Sequence, residues 1–351
     1  MPIYMDIHII AVVRARDVAE AHQRDLLQQE KYGCRCMTYW IDEQRENIFC
    51  LIEARGKQAV EEMHSRAHGM IPNKIIEVSS DLAASFLGRI YDPTEAEISD
   101  GGLKVFSDSS FRILLVARII DPILLQHKFG TEMANELLIG QYDDVRRNLA
   151  LHGGREAEHG GYGFIAAFAS AAKAVSCALA IQKEIPCTDA GLTGFRIAIN
   201  AGEPVENSNK FFGDTIQLAG NMCSIARDFR IAIASNVKEL VSKNYFQNSE
   251  KNFLNLAPQD EALLKLLFNK LEENWQDADF DIPDYCQAMA MSKSQLYRKT
   301  IALTGLSPNL LLKEFRLENA KELMKKQHHN ISQITFNSGF TSPSYFTKCF
   351  K

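Results

Sequence analysis

Four of the nine histidines of this 351-residue chain, His8, His22, His64 and His68, fall within its first 68 residues. His64 and His68 lie four apart in KQAVEEMHSRAHG, a spacing that sets both imidazoles on one face of a helix, where they can chelate one ion. Asp6 and His8 share one face of a strand, as do Cys34 and Cys36. With His22 and Cys50 they make a set of borderline and soft donors that suits nickel, zinc or copper better than magnesium. Spacing alone leaves two alternatives open: ordinary surface histidines with buried free thiols, or a thiol group that senses oxidants.

A second stretch, HGGREAEHGGYGF at 152–164, holds five glycines. Bare backbone N–H groups in such a turn approach a phosphate closely. Arg155, His159 and Tyr162, with Arg118 upstream, are the side chains there suited to an anionic ligand; surface or interface packing is the competing reading.

The elements that must position these residues follow from periodicity. IYMDIHI reads as a strand, DVAEAHQRDLLQQEKYG as a helix with a Gly stop, CRCMTYWI and NIFCLIEA as strands about a polar turn, KQAVEEMHSRAHG as a helix and KIIEV as a closing strand. The order βαββαβ predicts a ferredoxin-like sandwich over 1–80. YDPTEAEISDGG has Pro, Gly and acids without a hydrophobic period, so 81–104 reads as a linker. A middle unit follows over 105–250. After a break near KNYFQNSEKNFLNLAPQD, a helical unit over 258–351 completes the chain.

Length and composition fit two or three domains, with 46% hydrophobic and 24% charged residues. The start, MPIYMDIHII, lacks the basic and apolar regions of a secretory signal. The apolar run FIAAFASAAKAVSCALAIQ is Ala-rich and carries Lys173, which predicts a small-residue helix on a sheet rather than a membrane span. Eight irregularly spaced cysteines point to reduced thiols and a cytoplasmic protein. The net charge of −5 conceals a gradient: from Tyr285 onward ten Lys and Arg face three acids, whereas 258–284 carries eight acids and two lysines. A basic end on an acidic chain is a cue for nucleic acid.

Three resemblances sharpen this reading. MDIH, AEAHQRDL, EKYG, YWIDE, IFCLIEA and HSRAHG resemble, in order, a family of small ferredoxin-like domains, one member of which is a nickel-binding protein. The resemblance implies a metal site, nickel or zinc, with His8, His22, Cys50, His64 and His68 in the matching motifs. Cys34 and Cys36 stand where the family usually has other residues. SKSQLYRK, TGLSP, FRLENAKELM and NSGFTSPSYFTKCF resemble the DNA-binding domain of AraC-type transcription regulators, which implies two helix-turn-helix units on double-stranded DNA. On that reading Lys293, Ser294, Gln295, Arg298 and Lys299 serve the first recognition helix, and Ser342, Ser344, Tyr345, Thr347 and Lys348 the second. Leu296, Leu306, Leu317 and Phe346 fall on the apolar stripe. Arg316 reads equally as a structural ion pair or a phosphate contact. Ala290 occupies a turn position where the family often has Gly, and members usually continue beyond the position of Lys351 into another short helix.

FRILLVARIIDPILLQHKFG, GGYGF, FRIAINAGEP and FFGDTIQLAGN resemble the catalytic domain of class III adenylate and guanylate cyclases, another βαββαβ core that works as a dimer. The resemblance places Arg118 and Tyr162 at the two metal-binding aspartates, Gln217 and Asn221 at the ribose- and transition-state-orienting positions, and Glu158 near the base-recognising lysine. Magnesium chemistry needs hard oxygen ligands, so the reading is a pseudo-cyclase rather than an enzyme. The expected protein is α+β and multidomain: two ferredoxin-like βαββαβ domains followed by an all-α double helix-turn-helix domain. It is expected to be a homodimeric regulator with a metal or small-molecule effector and no membrane partner; the rivals are an altered cyclase-like enzyme and a metal-binding protein.

Overall fold

The computed structural model describes residues 1–99, 102–157, 163–185, 194–227, 230–242, 250–325 and 330–349. The first sheet is built from β1 (Ile3–Ile9), β2 (Cys34–Asp42), β3 (Asn47–Ala54) and β4 (Lys74–Val78), in the order β2-β3-β1-β4. Helices α1 (Ala15–Tyr32) and α2 (Lys57–Ala67) join the strands. β1 pairs antiparallel with both β3 and β4. Alternation along β1 decides what each face meets: Tyr4 lies in the core under the helices, while Met5 and Ile7 lie in a core continuous with the middle of the chain. Asp6 and His8 follow the parity of Tyr4.

The segment expected to be a linker begins with a packed helix, α3 (Ser80–Leu87). SDLAASFL spaces Leu82, Ala83, Phe86 and Leu87 at helical intervals, the Ser79 hydroxyl accepts the Leu82 N–H at 3.2 Å, and Gly88 ends the helix in the left-handed region at φ 87°. Phe86 stacks on Phe212 at 5.0 Å and meets Phe211 edge-on at 5.6 Å. Beyond it, a two-stranded ribbon, β5 (Glu97–Ile98) with β6 (Lys104–Val105), lays Leu103 and Phe106 against the first core.

The second sheet contains β7 (Arg112–Ile119), β8 (Arg155–Ala157), β9 (Phe164–Phe168), β10 (Phe195–Gly202), β11 (Ile231–Ile233) and β12 (Phe253–Asn255). Its order is β12-β11-β10-β7-β9-β8, so its first four strands repeat the order of the first sheet, and β11 and β12 extend it in parallel. The connecting helices are α4 (Pro122–Phe129), α5 (Thr131–Leu151), α6 (Ala171–Glu184), α7 (Gly213–Ile225) and α8 (Ser235–Leu240). The Ala-rich run divides into β9 and α6, whose Ala171, Ala174, Val175, Cys177, Ala178 and Ile181 are buried. No helix among the described residues is long and apolar enough to cross a membrane.

The C-terminal unit is helical: α9 (Pro258–Asn274), α10 (Ile282–Ala288), α11 (Lys293–Thr304), α12 (Pro308–Lys325), α13 (Ile331–Asn337) and α14 (Pro343–Cys349). Capping boxes open three of them, Asp281 with Asp284, Ser292 with Gln295 and Asn330 with Gln333. Leu264, Leu267, Leu271, Leu296, Leu311 and Leu312 belong to the same cluster as the second sheet, whereas Ala320, Ile334, Phe340 and Phe346 form a separate small core.

Candidate metal centre and nucleic-acid interface

Residues from β1, β3, α1 and α2 converge beneath the first sheet. On α1 the buried positions are Val18, Ala19, His22 and Asp25, one helical stripe, so two polar residues are carried into the core with the apolar ones. On α2 the buried stripe is Val60, Met63 and His64. Asp6, His8, Cys50 and His64, all buried, bring one ligand atom each within 4.8 Å of one another; Asp25, His64 and His68 do the same. His64 joins the two groups. Its Nε2 lies 3.0 Å from Asp6 Oδ2 and its Nδ1 3.2 Å from Asp25 Oδ1. His8 Nε2 stands 3.4 Å from Asp6 Oδ1, which also accepts the Cys50 N–H at 3.2 Å.

Burial alone would push the His64 imidazole down, but the Asp6 and Asp25 carboxylates more than reverse it and raise its pKa to about 10. Burial likewise opposes ionisation of Asp6, yet the His64 and His8 rings hold it well below the usual carboxylate range, and Asp25 is lowered by His64 and His68 against its own burial. Burial, reinforced by Asp6, keeps Cys50 protonated. An ion entering this cluster therefore displaces protons.

The structure unites most of the expected donors. His8, Cys50, His64 and His68 lie in the two groups. His22 is 8% exposed, its Nε2 has no hydrogen-bond partner and lies 3.5 Å from Asp92 Oδ2. Cys34 and Cys36 are buried but fall outside both groups: Cys34 Sγ is 3.8 Å from Tyr32 O and Cys36 Sγ 3.6 Å from Met63 Sδ. Burial and Asp25 push the Cys34 thiol up to about 11, so it is not a ready thiolate. Asp25 was not among the expected donors; its signal in the sequence is the three-residue spacing from His22 on an amphipathic helix. The donor set of imidazoles, carboxylates and one thiol fits a transition ion rather than magnesium.

In the helical unit, Lys293, Ser294, Gln295, Arg298 and Lys299 are exposed at the start of α11, while Leu296 is buried. Gln295 also closes the cap, its Oε1 accepting from Ser292 N at 3.0 Å. On α14, Ser344, Tyr345, Thr347 and Lys348 are exposed, Ser342 is half-buried at the helix start and Phe346 is core. A cleft of 440 Å³ separates the two units, with Lys293, Tyr297, Lys313 and Tyr345 on its walls. Arg316 is resolved as structural: its guanidinium donates to the carbonyls of Trp275 at 2.9 Å, Asp277 at 2.5 Å and Phe280 at 3.3 Å. Gly339, at φ 72°, is required beside it, since a Cβ there would come within 2.2 Å of Trp275 O.

In the middle unit, Arg118 is half-buried on β7 opposite Arg196 of β10. Arg155 is exposed, its guanidinium lying so close to Gly88 that a Cβ there would meet it at 2.5 Å. Glu158, His159 and Tyr162 lie outside the described residues. Gly163 borders them at φ 86°, and a Cβ on it would come within 2.3 Å of Ala117 O, so close approach of β9 to β7 accounts for this glycine without a phosphate. Gln217 is occupied at an inter-unit contact, donating to Asn269 Oδ1 of α9 at 3.1 Å.

Comparison with known proteins assigns both ends. Residues 4–78 match the family described as nickel responsive protein SCO4226-like, and residues 285–351 match a helix-turn-helix domain family. The first part of the chain is thus similar to a family described as nickel responsive, and its last part to a helix-turn-helix family. Among curated relatives, Histidine kinase P4 of Formosa agariphila is 33% identical over 129 residues, 36% of this chain and 9% of its own length. The HTH-type transcriptional regulator MtrA of Neisseria gonorrhoeae is 30% identical over 89 residues, 25% of this chain and 28% of that protein. This chain therefore spans less than a third of the length of either relative. Among solved structures, SCO4226 from Streptomyces coelicolor is 30% identical, with 22% of this chain and 94% of that one covered, at a TM-score of 0.21. An adenylate/guanylate cyclase/hydrolase from Silicibacter pomeroyi is 25% identical, with 37% and 78% covered, at a TM-score of 0.32.

Proposed function

We propose that this protein is a transcription regulator whose affinity for double-stranded DNA is set by a transition metal ion, nickel or zinc, held in its first domain. The observation that carries the reading is the coexistence, in one chain, of the buried cluster of Asp6, His8, Asp25, Cys50, His64 and His68 with a helical unit whose recognition-helix cations are exposed. Ligands drawn from that cluster hold the ion; the bound ion supplies a fixed positive charge where protons are otherwise shared. Lys293, Ser294, Gln295, Arg298 and Lys299 address one stretch of major groove, and Ser342, Ser344, Tyr345, Thr347 and Lys348 the next.

We read the first four strands of each sheet as a ferredoxin-like βαββαβ unit, supported by the shared strand order. The middle unit serves as a relay and a homodimer contact rather than a cyclase. Supporting this are the guanidinium of Arg118 at a position where the cyclase resemblance requires a carboxylate, and the use of Gln217 to bind α9. Arg118, Arg155, His159 and Tyr162 are, in this reading, the residues of the middle segment that would contact an anionic ligand. The cytoplasm suits the seven free thiols among the described residues.

Elemental analysis of protein purified without oxygen, followed by DNA titration of loaded and chelator-stripped samples at one salt concentration, tests the reading. Stoichiometric metal and a shifted isotherm are expected; cyclic nucleotide formed from ATP or GTP with Mn²⁺ would instead restore the enzyme reading.

A further inference from the structure

Among the described residues, His64 belongs to both groups of donors that can share an ion, one of four residues and one of three. An imidazole has two ring nitrogens, and the two groups claim different ones. Nε2 faces Asp6 at 3.0 Å, while Nδ1 faces Asp25 at 3.2 Å. The smaller group is closed to an ion by its own hydrogen bonds. His68 Nδ1 accepts the Met70 N–H at 3.2 Å, so its Nε2 carries the proton, which it directs at Asp25 Oδ1 at 3.2 Å. Asp25 Oδ1 thus takes two imidazole N–H groups, and His68 has no lone pair there for an ion.

The larger group is arranged around one carboxylate. His64 Nε2 lies 3.0 Å from Asp6 Oδ2, His8 Nε2 lies 3.4 Å from Asp6 Oδ1, and the Cys50 thiol also hydrogen-bonds Asp6. An ionised carboxylate only accepts, so the hydrogens of all three groups are directed at it. Replacing those hydrogens by one cation leaves two nitrogens, a sulfur and an oxygen around it. All four residues are buried, with ligand atoms within 4.8 Å of one another. Bonds of about 2.0 to 2.3 Å set the corners of a tetrahedron about 3.3 to 3.7 Å apart, which the two imidazole–carboxylate distances approach. The His8 and His64 rings meet edge-on, 88° apart with centroids at 4.9 Å, so their edges can serve one centre.

We propose that one ion binds between Asp6, His8, Cys50 and His64, with Asp25 and His68 as an outer layer that acts through His64 Nδ1. The assignment rests on the metal reading above. The Asp6 carboxylate and the Cys50 thiolate offset the charge of a divalent ion, which burial demands. Loading releases the Cys50 thiol proton to solvent. His64 gives the ion Nε2 and keeps its Nδ1 proton on Asp25, the carboxylate–histidine–metal arrangement that fixes a ligating ring. Two imidazoles, a carboxylate and a thiolate make a tetrahedral set appropriate to zinc and accessible to nickel. His22 is left out: its Nε2 faces Asp92 Oδ2 at 3.5 Å, and it falls in neither group.

X-ray absorption of the full chain loaded with zinc or nickel counts the ligands without any substitution. Two imidazoles and one sulfur are expected. An ion seated on Asp25, His64 and His68 would show no sulfur, and that result, or a count of three imidazoles, overturns the assignment. Cys50→Ser is expected to abolish metal–sulfur scattering and to lower affinity by more than the roughly 10- to 100-fold typical of outer-layer changes. Asp25→Asn is expected to lower affinity about 10- to 100-fold with the ligand count unchanged. His68→Gln and His22→Gln are expected to keep both imidazoles and the sulfur. Sulfur retained in Cys50→Ser, wild-type affinity in Asp25→Asn, or an imidazole lost in either histidine variant overturns the assignment. Should a variant fail to fold, the wild-type count still decides. A wild-type chain that takes up neither ion overturns the metal reading, whereas one that binds an ion with another ligand count overturns the assignment alone.

Discussion

The Asn47 side-chain nitrogen lies 2.8 Å from both carboxylate oxygens of Glu203, tying the start of β3 to the loop that precedes α7. Lys74, at the start of β4, grips the same loop through the carbonyls of Glu206, Asn207 and Ser208 at 2.6 to 2.8 Å. Beyond the loop, Asp214 pairs with Lys265 at 2.9 Å and Arg227 with Glu314 at 3.0 Å, which join the middle unit to the helical one. In register, Asn47 is opposite Ile9 and Ile48 opposite His8, so the strand that carries Asp6 and His8 adjoins this contact. In the proposed regulator, an ion changes DNA affinity only as far as it binds the two arrangements of these contacts differently.

Glu203 gives that contact a pH signature. Burial raises its carboxyl above the ordinary Glu value even though Asn47 works against the shift. The folded chain therefore holds this proton more tightly than the unfolded one, so the stabilisation linked to it is fullest below the ordinary Glu pKa and is lost as pH rises through the folded value. Glu203→Gln is expected to flatten the fall in stability on the neutral side of that range. Urea unfolding at several pH values checks this; parallel profiles for variant and wild type would contradict it.

Ala290 sits at φ 50°, a left-handed conformation costly for any residue with a Cβ, between α10 and α11. Ala290→Gly relieves about 1 to 2 kcal/mol of strain and returns about 0.5 to 1 kcal/mol as chain entropy. A net gain of about 0.5 to 1 kcal/mol is expected in denaturant unfolding. No gain would mean that the turn relaxes around the alanine.

The fate of Ala290 shows what the sequence conveyed. Local signals were legible: the βαββαβ order of the first unit and the parity that keeps Asp6 and His8 together. The helix α3 was hidden because SDLAASFL is short and adjoins a Pro- and Gly-containing stretch that dominates the eye. Asp25 was hidden because a carboxylate on a helix is ordinarily solvent-facing, and only tertiary packing brings it to His64 and His68. Arg316 had two equal readings until three carbonyls from 275–280 claimed it.

Lys293 and Arg298 are exposed on α11, and the middle unit lies between them and the buried His/Asp/Cys cluster along the chain. Lys293→Ala is expected to weaken binding to all duplexes about equally and to reduce the salt slope by about one if it holds a phosphate. Arg298→Ala is expected to cost about 1 to 3 kcal/mol and to relax preference at one base pair if it reads a guanine. Fluorescence anisotropy with matched and mismatched duplexes over a range of salt separates the two, and an unchanged slope in both variants would remove α11 from the interface.

The central claim, that a metal in the first domain governs the DNA-binding end, is tested most directly by one titration. Full-length protein, stripped by chelation or loaded with one equivalent of nickel or zinc, is titrated at fixed salt against a duplex that the protein has itself selected from a random pool. Loaded and stripped samples are predicted to differ in Kd by about fivefold or more, a coupling of about 1 kcal/mol or above. Superimposable isotherms, with the ion verified in place, would contradict it.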